Sequence, residues 1–130
     1  MDLKESLETL GYGRRIFGGE HDEFRRSLRQ FFRTQIEPKV RQREEDAFFP
    51  HDLYGKAGRA GVLGAAVPEQ YGGASGDFLH MAILFEEHGY SVAGAAMEAG
   101  LTSDVASLAI LDSGKEAQKR QWLPKFAQAK

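Results

Sequence analysis

The sequence has 130 residues, of which 42% are hydrophobic and 28% charged, a balance typical of one globular domain rather than a disordered chain. It contains no cysteine, which excludes disulfides, thiolate nucleophiles and cysteine-ligated metal centres. With 17 basic and 19 acidic residues the net charge is −2, which argues against a nucleic-acid-binding protein because such proteins usually carry a basic excess.

The sequence shows no feature of a membrane or export segment. No apolar run approaches the roughly 20 residues that a membrane span requires, and the N-terminus lacks the apolar core of a secretory signal. Asp2, Glu5 and Glu8 are also unlike a mitochondrial presequence, which is poor in acidic residues. We therefore expect a cytoplasmic protein without a membrane span.

The chain begins with a segment, residues 1–19, whose leucines at helical spacing and several glycines predict a short helix or loose arm. From Glu20 an apolar residue recurs every three or four positions, which predicts the first long helix. Pro38 removes a backbone donor, so this helix should kink or break near residues 35–37 before continuing to Asp46. Acidic residues flank its four arginines and predict a solvated face: Arg25, Arg26, Arg29 and Arg33.

Two further helices are predicted before residue 90. Apolar spacing indicates one from Leu53 to Val62, followed by an extended piece at residues 65–68 and a glycine-rich loop at residues 69–76. Asp77 is a good N-cap for the next helix, for which Gly89 is the predicted end. We expect its apolar face to consist of Phe78, Met81, Ala82, Leu84 and Phe85.

Small apolar residues dominate positions 92–111 and predict a helix that can approach a neighbour or a ligand closely. Ser113 is a candidate cap for a last helix from Lys115 to about Phe126. No segment alternates with the period of two that strands require. The fold class is therefore predicted to be all-α, with about five to six helices.

Individual residues carry little recognisable chemistry. The four histidines have no metal-binding spacing in the sequence, and Asp77 and His80 share only one half of a ferritin-like motif, which needs a second copy. The glycines at residues 72–76 lack a dinucleotide fingerprint, and residues 113–116 lack the serine or threonine of a phosphate loop. We expect no metal site, and a ferritin-like metal protein remains a minor alternative.

Five blocks of the sequence, taken in order, resemble the N-terminal helical domain of the acyl-CoA dehydrogenases. They are Glu20-His21-Asp22-Glu23-Phe24-Arg25 with its continuation through residues 29–32 and 36–38, residues 53–64, Val67-Pro68-Glu69-Gln70-Tyr71-Gly72-Gly73, Glu86-Glu87, and Gly114-Lys115-Glu116-Ala117-Gln118-Lys119 with Trp122-Leu123-Pro124. Each block is weak alone, but their order and spacing agree with the family, and the opening is most similar to the long-chain branch.

The resemblance implies an antiparallel or orthogonal helical N-terminal domain at residues 20–130, with residues 1–19 as an arm. The family's central β-domain and C-terminal bundle have no counterpart in these 130 residues. In the family, a carboxylate removes the α-proton of an acyl-CoA thioester and hydride leaves the β-carbon for FAD. Because the base and nearly all flavin contacts lie downstream, we expect no catalytic or cofactor-binding residue here. The 130-residue chain alone should be inactive and free of FAD.

The resemblance also places part of the wall around the fatty acyl chain on the helix near residue 105. Leu101 and Val105 match positions at which relatives line the tail pocket, and Thr102 falls where many relatives have histidine. These three are the candidate substrate-binding residues, and ordinary helix packing is the alternative for each. The implied partners of the full-length protein are acyl-CoA, an electron-transfer flavoprotein and further copies of itself in a homotetramer.

Two other interpretations share the same sequence features. An acyl-CoA oxidase or another flavoprotein of the superfamily would carry a similar first domain, because reactivity with oxygen is determined elsewhere in the protein. A non-catalytic helical module that only binds partners is the other alternative.

Overall fold

The computed structural model describes residues 16–48, 50–91 and 104–129, and this part of the chain is helical, with no strand. The α-helices are α1 (Gly19–Phe31), α2 (Val40–Asp46), α3 (His51–Arg59), α4 (Phe78–Tyr90), α5 (Asp104–Ser113) and α6 (Glu116–Gln128). Short 3₁₀ turns occupy Glu37–Lys39 and Glu69–Tyr71. The predicted all-α class is confirmed.

The first predicted helix breaks where the sequence indicated. After α1 the backbone widens into a π-helical turn at Phe32–Ile36, tightens into the 3₁₀ turn that contains Pro38, and then resumes as α2. Pro38 has no N–H to donate, so the regular ladder of hydrogen bonds cannot pass through it. This confirms the predicted interruption and the helical continuation to Asp46.

The core lies between α1, α3 and α4. Five of its side chains are almost fully buried. They are Leu28 of α1, Ile36 of the π-helical turn that follows α1, Leu53 of α3, and Ile83 and Leu84 of α4. The order of contacts shows that α1 and α4 run in the same direction, because the start of each helix lies beside the start of the other and the ends likewise.

Close packing against α6 depends on two glycines. A side chain on Gly58 would lie 2.9 Å from the carbonyl oxygen of Ala127, and one on Gly64 would lie 2.8 Å from the Ala127 side chain. Both distances are too short for a Cβ atom, so only glycine lets α6 rest directly on α3 and the turn after it. A second, smaller core of Val67, Tyr71 and Leu123 joins this turn to α6.

Several sequence-based boundaries were wrong. α3 spans His51–Arg59, so Val62 lies beyond it, and residues 65–68 form turns and a bend rather than an extended piece. Gly89 lies inside α4, which continues to Tyr90. The last helix begins at Glu116 with Lys115 as its N-cap, while the hydroxyl of Ser113 donates to Asp112 instead of capping.

The predicted apolar face of α4 was also partly wrong. Met81 and Leu84 are buried as expected, but 83% of Phe78 and 46% of Phe85 are exposed. Seven of the first eight residues of α4 are apolar, so the sequence does not distinguish the buried face from the exposed one. Asp77, in contrast, caps α4 as predicted, because its carboxylate accepts a hydrogen bond from the amide of His80.

Candidate functional site

The predicted acyl-chain residues lie in and before α5. Leu101 and Thr102 fall outside the residues that the structure describes. Val105 is the second residue of α5, and 79% of it is exposed. The described part of the chain therefore does not bury Val105 in its own core, and the substrate-binding assignment of the three residues stays a prediction.

Helix α5 exposes a mainly apolar face. Val105, Leu108 and Ala109 lie three or four residues apart, hence on one side of the helix, and all three are exposed. On the other side Ser107 is buried, while Ile110 and Leu111 pack against the small core formed with α6. One face of α5 is thus held by the domain, and the other is available to an apolar ligand or to another part of the protein.

A shallow apolar groove adjoins this face, between α5 and α6. Ala109 and Ile110 line it from α5, Gly114 lies at its turn, and Trp122 and Phe126 line it from α6. Its polar members are Ser113 and Gln118, and the described residues that line the groove include no acid, base or histidine. Its composition fits contact with hydrocarbon or with an apolar protein surface.

The glycine-rich loop fixes the position of α6. The hydroxyl of Tyr71 donates to Glu116 at 2.8 Å, and this hydrogen bond, together with burial, raises the pKa of the phenol. Gly72 has φ +84°, a left-handed conformation that glycine adopts without strain, and it ends the 3₁₀ turn that aims Tyr71 inwards. The loop thereby anchors the helix that carries Trp122.

A cluster of charged residues joins α1 to α4. The carboxylate of Glu87, of which only 3% is exposed, accepts hydrogen bonds from Arg25 Nη1 at 2.9 Å and from Arg29 Nε and Nη2 at 2.8 and 2.7 Å. Glu86 accepts from Arg25 Nη2 at 2.7 Å. Burial alone would raise the pKa of Glu87, but the hydrogen bonds from Arg29 and Arg25 outweigh it and hold that pKa below its usual value.

This cluster corrects the prediction that the four arginines of the first predicted helix form a solvated face. Arg26 and Arg33 are exposed as expected, whereas Arg25 and Arg29 turn towards α4. The sequence did contain a signal for this ion pairing. Arg25 and Arg29 lie four residues apart beside the apolar stripe of one predicted helix, and Glu86 and Glu87 are adjacent on another. The carboxylate of Glu87 is engaged by arginine and has a structural role.

The fold also brings His21 to Asp77 and His80, a pair that lies only three residues apart in the sequence. His21 Nε2 lies 3.1 Å from both carboxylate oxygens of Asp77, and His80 Nδ1 lies 2.7 Å from Asp77 Oδ1. The hydrogen bond with His80 is the largest of the effects that hold the pKa of Asp77 well below its usual value. The sequence offered no signal for this contact, because His21 is 56 residues away from Asp77.

In the described part of the chain, these helices and the uncovered apolar face of α5 define an all-α domain. The family model for the acyl-CoA dehydrogenase N-terminal domain matches residues 18–130. The chain belongs to the acyl-CoA dehydrogenase family.

Individual relatives agree with this assignment. The mitochondrial long-chain specific acyl-CoA dehydrogenase of Rattus norvegicus is 36% identical over 127 residues, which cover 97% of this chain and 29% of that protein. An acyl-CoA dehydrogenase of Bacillus subtilis is 33% identical over 103 residues, covering 79% of this chain and 27% of that protein. The crystal structure of a Bacillus anthracis acyl-CoA dehydrogenase complexed with FAD superimposes with a TM-score of 0.77 and 31% identity, covering 87% of this chain and 19% of that one.

The chain thus spans less than a third of the length of the relatives it matches. Within the described residues, no helix is long and apolar enough to cross a membrane. The cytoplasmic location stays a prediction, since the rat relative is mitochondrial by name.

Proposed function

We propose that the full-length protein to which this chain belongs is an FAD-dependent acyl-CoA dehydrogenase that introduces a double bond between the α- and β-carbons of an acyl-CoA thioester. Within it, the domain formed by residues 20–130 contributes part of the wall around the acyl chain. The observation that carries this proposal is the exposed apolar face of α5, in a chain that belongs to the family.

The exposure of Val105 supports a role outside the core. A valine that stabilised the domain by helix packing would be buried by it, yet 79% of Val105 is exposed. Val105 lies one helical turn from Leu108 and near the groove that Trp122 lines. An exposed apolar residue at such a place is suited to contact the hydrocarbon tail of a substrate. Leu101 and Thr102 belong to the same proposal through the family resemblance alone.

No contact with FAD is assigned to the described residues. FAD would supply the hydride acceptor when bound, and the Bacillus anthracis relative was solved with it. We place the flavin contacts and the catalytic base in the part of the full-length protein that corresponds to the remainder of its relatives.

The partners of the full-length enzyme follow from the same proposal. They are an acyl-CoA substrate, an electron-transfer flavoprotein as electron acceptor, and three further subunits in a homotetramer. Production of hydrogen peroxide in place of reduction of such an acceptor would identify an acyl-CoA oxidase instead.

The test compares the full-length protein with its Val105→Ala and Val105→Phe variants on a ladder of saturated acyl-CoA substrates. We expect a yellow protein whose preferred chain length rises with alanine, which opens space, and falls with phenylalanine, which closes it. One methylene in an apolar pocket is worth roughly 1–3 kcal/mol, so kcat/KM at the affected lengths should change by about tenfold or more.

The matched control is Phe78→Leu, which alters another exposed apolar side chain, on α4. It should leave the chain-length profile unchanged. A colourless full-length protein without dehydrogenase activity would contradict the proposed function. Activity with the same profile in both Val105 variants would contradict only the assignment of α5 to the acyl-chain wall.

A further inference from the structure

The starts of α1 and α4 meet at a cluster of three potential metal ligands, His21, Asp77 and His80. One ligand atom from each residue lies within 4.8 Å of the other two, and the two imidazole rings are 4.6 Å apart between centroids. His21 is buried, with 7% of its side chain exposed, while Asp77 is 55% exposed. The cluster is therefore fixed on its inner side and open on its outer side.

We propose that these three residues bind a divalent transition-metal ion of the zinc class through two imidazole nitrogens and one carboxylate oxygen. The site goes beyond the proposed function and does not depend on it, because it lies on the side of α1 and α4 and involves no residue of α5. Two histidines and an aspartate are a ligand set that suits zinc, with a water molecule in the fourth position.

Two of the three distances between ligand atoms are close to those of such a site, and the third, between His21 and His80, lies within 4.8 Å. Ligand bonds of about 2.0–2.2 Å in tetrahedral geometry place neighbouring ligand atoms roughly 3.2–3.6 Å apart. The His21–Asp77 distance of 3.1 Å is close to this, and the His80–Asp77 distance of 2.7 Å needs to open by a few tenths of an ångström. Because 55% of the Asp77 side chain is exposed, its carboxylate can move outwards and an ion can reach the site from solvent on that side.

Metal binding would change which ring nitrogen of His21 carries the proton. Its Nδ1 accepts a hydrogen bond from the amide of Gly18 at 2.9 Å, so Nε2 carries the proton and donates to Asp77. An ion on Nε2 displaces that proton, the ring takes one on Nδ1 instead, and the Gly18 amide loses its acceptor. The N-termini of α1 and α4 also oppose a cation through their dipoles. Both effects lower the affinity, and we expect binding at micromolar rather than nanomolar zinc.

The position of both histidines allows variants that remove the ligand and keep the fold. Each is the third residue of its helix, with its ring nitrogen within hydrogen-bond reach of the N-cap amide, at Gly18 and Asp77 respectively. Glutamine is a common residue at this position of a capping box. At either position glutamine can accept from the N-cap amide, and Asp77→Asn keeps an N-cap oxygen.

The experiment is a calorimetric titration of the 130-residue chain, first treated with chelator, with zinc chloride. We expect one ion per chain, and the amide NMR signal of Gly18 should shift as the site fills. His21→Gln, His80→Gln and Asp77→Asn should each weaken binding at least tenfold, since even loss of an outer-shell partner commonly costs 10–100-fold. His51→Gln, at an exposed histidine outside the cluster, is the control and should bind as the unaltered chain does.

Circular dichroism of each variant verifies that the helices are retained. The proposal is overturned if the unaltered chain binds no stoichiometric zinc at 100-fold excess over micromolar protein. It is equally overturned if folded His21→Gln, His80→Gln and Asp77→Asn chains bind as tightly as the His51→Gln chain.

Discussion

The replacement Glu87→Gln tests whether the charged cluster between α1 and α4 holds the domain together. Glutamine has almost the volume of glutamate, so the change removes the charge without opening a cavity. Its amide group would also direct two hydrogens at the guanidinium groups of Arg25 and Arg29, which are themselves donors. The variant therefore loses the carboxylate that satisfies three arginine hydrogen bonds, at a position that is 3% exposed.

Breaking a buried ion pair by removing one partner typically costs about 3–5 kcal/mol. The side chains of Arg25 and Arg29 are 23% and 39% exposed, so water can hydrate them again after the change. This places the expected loss for Glu87→Gln near the lower end, at about 3 kcal/mol. For a domain of this size, such a loss corresponds to a decrease in melting temperature of roughly 10 °C.

The neighbouring residue provides a matched control. Glu86 accepts a hydrogen bond from Arg25 Nη2 at 2.7 Å, and its side chain is 31% exposed. Because partly exposed ion pairs contribute little, Glu86→Gln should cost no more than about 1 kcal/mol. The assay is urea unfolding followed by circular dichroism, at low and at high salt. Equal losses for the two variants, or a loss below about 1 kcal/mol for Glu87→Gln, would refute the reasoning.

Three further predictions concern other features of the domain. The folded-state pKa of Glu87 lies below its reference value of 4.5, so its contribution to stability is present above that pH and is lost as pH falls through the lower folded value. The free energy of unfolding, measured at a series of acidic pH values, should therefore fall more steeply in the unaltered chain than in Glu87→Gln. Gly73→Ala would place a Cβ against the carbonyl oxygen of Val67 and should lower the free energy of unfolding by about 1–3 kcal/mol. The Cβ of Gly89→Ala, on the exposed side of α4, meets no atom within 4 Å, so this variant should raise the free energy of unfolding by about 0.5–1 kcal/mol. Both changes are measured as shifts of the melting temperature. Val105→Ala should change the unfolding free energy of the chain by no more than about 0.5 kcal/mol, because a residue 79% exposed contributes little to the core; a loss above about 2 kcal/mol would indicate a packing role instead.

Local features of the fold could be predicted from the sequence because local chemistry determines them. Pro38 lacks an amide proton wherever it occurs in a helix, and Asp77 accepts from the first turn of any helix that it precedes. The five sequence blocks added what local rules could not give, the identity of the family. Each of these inferences depends on residues close together in the chain or on an order of motifs.

Contacts between helices could not be predicted in the same way. The pairing of His21 with Asp77 spans 56 residues, and that of Arg29 with Glu87 spans 58. Predicting either contact requires knowing which faces of the two helices meet. The sequence does not identify the buried face of α4, because nearly all the residues of its first two turns are apolar. For the same reason the sequence predicts Phe78 on the apolar face of this helix, although 83% of it is exposed.

The parallel course of α1 and α4 explains why polar groups hold these helices together at their starts. Two parallel helices place their partial positive N-terminal charges side by side, which is unfavourable unless a negative group lies between them. Asp77 fills that place, since its carboxylate accepts from the His80 amide of its own helix and from His21 Nε2 of the other. Further along, Glu87 serves the same pair of helices by accepting from Arg25 and Arg29. The position of α4 relative to α1 is thus stabilised by the exposed carboxylate of Asp77 and the buried carboxylate of Glu87, as well as by the apolar core between the helices.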